Sequence, residues 1–122
     1  MKKSYIAAAI IAFTAFSTIA FAKDAKCKII WDDTLVYNQV CKFEAWGNDG
    51  SFILSSKNPN RLLFQDNKTL WVRVSQKNVA ELGTDLSNGH SQRWGVTLIR
   101  SQRDRACWDN EAGDVSICVY AK

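Results

Sequence analysis

The chain has 122 residues, 47% of them hydrophobic, with a formal net charge of +4 from 16 basic and 12 acidic side chains. Lys2 and Lys3 belong to an apolar leader, and without them 14 basic residues face 12 acidic ones, a balance of +2. So small an excess argues against nucleic acid as the main partner, because holding a phosphate backbone at physiological salt takes many unopposed cations.

Met1, Lys2 and Lys3 precede an apolar and small-residue stretch from Tyr5 to Phe21, which ends in Ala20-Phe21-Ala22 before Lys23 and Asp24. A basic start, a hydrophobic middle and a small-x-small end predict a cleaved secretory leader over residues 1–22, leaving one domain over 23–122. The stretch approaches the roughly 18 residues of a membrane span, but the polar residues directly after Ala22 favour cleavage, with no span in the mature form. The expected location is therefore the periplasm or the exterior. Cys27, Cys41, Cys107 and Cys118 all lie beyond the predicted cut, and an even count in an exported chain predicts two disulfides. Their spacings of 13, 65 and 10 intervening residues lack the close pair typical of zinc sites, so no metal and no cofactor is expected.

Beyond the leader, short apolar runs alternate with turn residues. Ile29-Ile30-Trp31 precedes Asp32-Asp33, Val40 to Trp46 precedes Gly47-Asn48-Asp49-Gly50, and Ser51 to Leu54 precedes Lys57-Asn58-Pro59-Asn60. Leu62 to Phe64, Leu70 to Val74, Val79 to Leu82, Trp94 to Ile99, Ala106 to Trp108 and Val115 to Tyr120 continue the series. With no helical period anywhere, this punctuation predicts an all-β fold, a small antiparallel sandwich or barrel of about seven to nine short strands. Thr84 to Arg93 lacks an apolar period and reads as a long polar loop that could carry function.

The last hairpin can be read in register. A four-residue loop over Glu111-Ala112-Gly113-Asp114 sets Asn110 against Val115, Trp108 against Ile117 and Cys107 against Cys118. Opposed strand residues have Cβ atoms about 4.5–5.5 Å apart, within disulfide reach, so Cys107 pairs with Cys118 and Cys27 with Cys41 by remainder. Four cysteines allow three connectivities, and the other two stay open at this point.

Catalytic chemistry needs a constellation. His90, the single histidine, sits beside Ser91 with Asp85 nearby, but no nucleophile elbow or oxyanion motif accompanies them, and no catalytic residue is assigned. Acidic residues such as Asp32, Asp33, Asp66 and Asp114 fall at turns, where Asp bonds the backbone.

Five tryptophans invite a binding reading. Period two in Thr69 to Ser75 turns Leu70, Val72 and Val74 inward and leaves Trp71 and Arg73 outward, a composition typical of binding hot spots. Arg93, Arg100, Arg103 and Arg105 form a second, cationic cluster whose guanidinium forks suit carboxylates or sulfates. The leading expectation is an exported, disulfide-stabilised binding module, an inhibitor, immunity or adhesin-like protein, that contacts a protein or acidic glycan through these side chains. The alternatives are a small hydrolase of cell-wall or glycan material centred on His90, and a structural envelope protein without a soluble ligand.

The C-terminal pattern Trp94-Gly95-x-x-Leu98-x-Arg100, then Cys107-Trp108-x-Asn110, then Ile117-Cys118 resembles a group of small secreted proteins of proteobacteria. That resemblance implies export, two disulfides and a β fold, and it brings no activity or site residues. In size, export, β content and cysteines the chain is also similar in kind to the periplasmic inhibitors of c-type lysozyme. It lacks their serine-rich and Lys-Gly-Asp segments, so no inhibitory residue is carried over.

Overall fold

In the first strand, Ala25, Cys27, Ile29 and Trp31 are buried while their chain neighbours are not, the period-two signature of a sheet with one wet face. The computed structural model describes residues 22–122, and apart from Ala22 the expected leader lies outside them. Eight strands follow in order: β1 (Lys23–Trp31), β2 (Thr34–Ala45), β3 (Phe52–Ser56), β4 (Asn67–Gln76), β5 (Val79–Leu86), β6 (Ser91–Arg100), β7 (Cys107–Asn110) and β8 (Ser116–Ala121). Each pairs antiparallel with the next, and β1 pairs with β8 from Ala25 opposite Ala121 to Ile30 opposite Ser116, closing a barrel. Closure removes the exposed sheet edges that would otherwise template aggregation.

Asp32 and Asp33 have φ of 55° and 64°, so the first hairpin turns through two left-handed residues that match the strand twist. Eight strands leave an interior just wide enough for side chains to fill. Ile29, Leu54, Leu70, Leu82, Leu98 and Ile117 fill it and are inaccessible to solvent. Both disulfides expected from sequence are present, with Cα separations of 5.7 Å for Cys27–Cys41 and 4.0 Å for Cys107–Cys118. Cys27–Cys41 lies inside the barrel with Ala25 and Ile29. Cys107–Cys118 lies on the outer wall, because Trp108 and Ile117 beside it point inward, and Tyr120 Oη sits 3.6 Å from Cys107 Sγ. The register of this last hairpin matches the one read from its loop length.

Two sequence expectations change. Leu62 to Phe64 is not a strand: the connection over residues 57–66 folds across the barrel end where β1 finishes and inserts Leu63 and Phe64 as a plug. Trp31 packs on Phe64 and Trp94 with ring centroids 4.9 Å apart in both cases, and Trp94 Nε1 donates to the buried Thr84 hydroxyl at 2.9 Å. Nor is Thr84 to Arg93 a loop. β5 runs through Leu86 and β6 starts at Ser91, leaving Ser87 to His90 as the turn. Asp85, Ser91 and Arg93 sit on the outer face of paired strands, where polarity does not mark a break in the ladder, and Thr84 is buried on the inner face.

Candidate functional site

Strand register assembles the outer wall residue by residue. Glu44 of β2 opposes Ile53 of β3, which opposes Trp71 of β4, then Gly83 of β5 and Arg93 of β6, one row across five strands. The next row towards the open end sets Arg73 against Glu81 and Glu81 against Thr97. Sequence-expected residues Trp71, Arg73 and Arg93 thus share one face.

Glycine at 83 determines how the indole lies. A Cβ there would meet Trp71 Cζ2 at 1.8 Å, so the ring covers the glycine backbone on the outside of the barrel. Trp71 is consequently half-buried although it points outward. Trp46, in the turn after β2, is tethered by its backbone N–H, which donates to the Ser51 carbonyl at 2.9 Å, and its indole meets Trp71 edge-on, with centroids 5.8 Å apart. The Arg73 guanidinium lies 6.0 Å from the Trp46 ring centroid, at the edge of cation–π range. Trp46 was not selected from sequence, and its 41% exposure makes it the more accessible of the two indoles. Its sequence signal was its position directly before Gly47-Asn48-Asp49-Gly50, since a bulky aromatic entering a turn has little barrel interior left to fill.

Charge on this wall is only partly neutralised. Arg93 Nε lies 3.6 Å from Glu81 Oε1, an exposed pair that contributes little and yields easily to a partner. Among the described residues Arg73 has no carboxylate within ion-pair distance. An apolar platform of Ile53, Trp71 and Trp46, edged by Arg73 and Arg93, can stack on a sugar ring or a side chain while forking a carboxylate.

The other arginines lie elsewhere, so Arg93 is separated from the rest of its sequence cluster, while Arg100, Arg103 and Arg105 stay together at the end of β6 and the loop after it. Arg100 ends β6 on its inward face, with its guanidinium 4.6 Å from the Trp108 ring centroid at the barrel mouth. Arg105 shares that mouth, and Arg103 is exposed on the loop between β6 and β7.

The carboxylate of Asp85 accepts from Thr69 Oγ1 at 2.7 Å and from Ser91 Oγ at 2.6 Å. Ser91 therefore meets Asp85 directly, and His90 stands exposed at the turn with its backbone N–H on Asn88 Oδ1. Among the described residues no cluster of three or more His, Cys, Asp or Glu could hold a metal. No protein-family model, curated protein or solved structure matches the chain.

Proposed function

We propose that the protein is an exported binding module, working in the periplasm or outside the cell, that holds a protein or acidic glycan partner on the outer wall of β3 to β6. Two disulfides suit an oxidising compartment. The observation that carries the reading is the adjacency of Trp46, Trp71 and Arg73 on a surface that the barrel's own core does not need. Tryptophan and arginine dominate the few residues that supply most binding energy at interfaces. An inhibitor, an immunity protein or an adhesin would all use such a patch.

Trp46 and Arg73 are the informative substitutions, because Trp71 also shields Gly83 and its loss would disturb the wall itself. Oxidised protein is screened against acidic glycans and against purified envelope and secreted proteins. The expected partner loses about 30-fold in affinity on Trp46→Ala or Arg73→Ala, the effect of roughly 2 kcal/mol typical of a hot spot, and little on Arg103→Ala. A partner that ignores both changes but follows Arg103→Ala would overturn the assignment of this face.

A further inference from the structure

The barrel end where β1 begins is open. A cleft of about 510 Å³ lies there, within the roughly 300–1,000 Å³ range of small-molecule sites. Its apolar floor is Phe43, Phe52, Trp108 and Val119, with Phe43 and Phe52 stacked at a centroid distance of 5.4 Å. Its cations are Arg100 and Arg105, joined by Lys122 and by Lys23, whose Nζ lies 5.7 Å from the Phe43 ring centroid.

Position 100 follows Leu98 on the inward face of β6, where an apolar residue would close the mouth without any desolvation cost. A guanidinium sits there instead. Arg100 Nη1 donates to the Arg105 carbonyl at 3.0 Å, while its Nε is buried and makes no hydrogen bond. Burial, and then the like charge of Arg105, both push the Arg100 guanidinium below its ordinary pKa. Asp24, whose carboxylate also lines the cleft, is already held by Lys42 at 3.1 Å and Lys57 at 2.7 Å. Two neighbouring cations over an aromatic floor, one with an unused buried donor and neither with an acid partner among the described residues, are unfavourable by themselves and complementary to an incoming anion.

We infer that the barrel mouth is a second binding site, for a small amphiphilic carboxylate, whose carboxylate is held by Arg100 and Arg105 and whose apolar body lies on Phe43, Phe52 and Val119. The site is separate from the outer wall, and neither reading depends on the other. The carboxylate supplies the counter-charge that Arg100 and Arg105 lack, and the apolar body explains why Arg100 stands over the Trp108 ring rather than on an open polar surface.

Decanoate titrated into the oxidised protein, followed by calorimetry and tryptophan fluorescence, tests this directly, with decanol and decyltrimethylammonium as neutral and cationic counterparts. Saturable one-to-one binding of decanoate is expected, at least tenfold tighter than either counterpart. Arg105→Gln and Arg100→Gln should each weaken it about tenfold, and Trp46→Ala should leave it unchanged. Because Arg100→Gln also removes the stack on Trp108, Ala121→Trp is a second probe: Ala121 lines the cleft and is exposed, so an indole there fills the mouth and keeps both cations. Decanol binding as tightly as decanoate, or decanoate binding unaltered in Arg105→Gln or in Ala121→Trp, would overturn the inference.

Discussion

At position 83 a single hydrogen in place of a methyl group sets the shape of the outer wall. The Trp71 indole occupies the volume that a Cβ would need. Gly83→Ala must therefore lift the indole or shift β5, and strain from one added carbon in a filled site costs typically about 1–3 kcal/mol. The test is a double-mutant cycle in urea. Gly83→Ala should be destabilising alone and close to neutral in the Trp71→Ala background, because the clash disappears with the ring. A cost that persists without Trp71 would assign the glycine to backbone geometry at the irregularity between Glu81 and Gly83. The outward direction of Trp71 was legible in the sequence, since Leu70 and Val72 on either side fix the parity of β4. Its glycine partner was not, because Trp71 and Gly83 meet only once the β4–β5 register is known. Arg100 was readable in principle: counting by twos from the inward Leu98 puts it in the barrel. Grouping it with Arg103 and Arg105 by charge hid that parity.

Among the elements, the hairpin of β7 and β8 was the most legible, because a four-residue loop and an opposed cysteine pair leave one register that satisfies both. Leu62 to Phe64 misled for the converse reason: three consecutive apolar residues carry no parity, and only the aromatic cluster of Trp31 and Trp94 shows what they cover. β1 offers a pH-dependent test. Asp24 stands opposite Lys42 of β2 and reaches Lys57 just after β3, tying three successive strands together. The lysine hydrogen bonds, Lys57 first, hold its carboxyl down at about 2. The folded value thus lies below the roughly 3.9 of an unfolded Asp, so the link contributes its full stability above about pH 4. That contribution is lost as pH falls through the folded value near 2. Asp24→Asn should lower the thermal midpoint by a constant small amount from pH 7 to 5, with the gap narrowing below 4 and closing near 2. A gap independent of pH across that range would show that packing, and not charge, accounts for the difference. High salt should shrink the gap as well, since the pair is partly exposed to solvent.

Over the whole molecule, the fold depends on joining its first strand to its last. The β1–β8 ladder is the seam, and such a long-range pairing carries a large loop-closure cost before it returns any contact. The two disulfides sit on either side of it. Cys27–Cys41 fastens β1 to β2 within the barrel, Cys107–Cys118 fastens β7 to β8 on the outside, and in the seam Cys27 opposes Val119 while Lys28 opposes Cys118. Both bridges thus preorganise the hairpins that must meet, without crossing the seam. Each closes a short loop, of sequence separation 14 and 11, and should stabilise by about 3 kcal/mol in the chain-entropy model. Together that is about 6 kcal/mol, comparable to the roughly 5–15 kcal/mol of total stability common in small domains. Replacing either pair by alanine should leave a folded barrel with a lower urea midpoint, and replacing both should leave a largely unfolded chain by near-ultraviolet circular dichroism. If the bridges act only on their own hairpins, the two losses add. If they cooperate across the seam, the second removal costs more than the first, and hydrogen exchange in the singly bridged variants should rise earliest at Lys26 to Ile29, the residues through which the barrel closes.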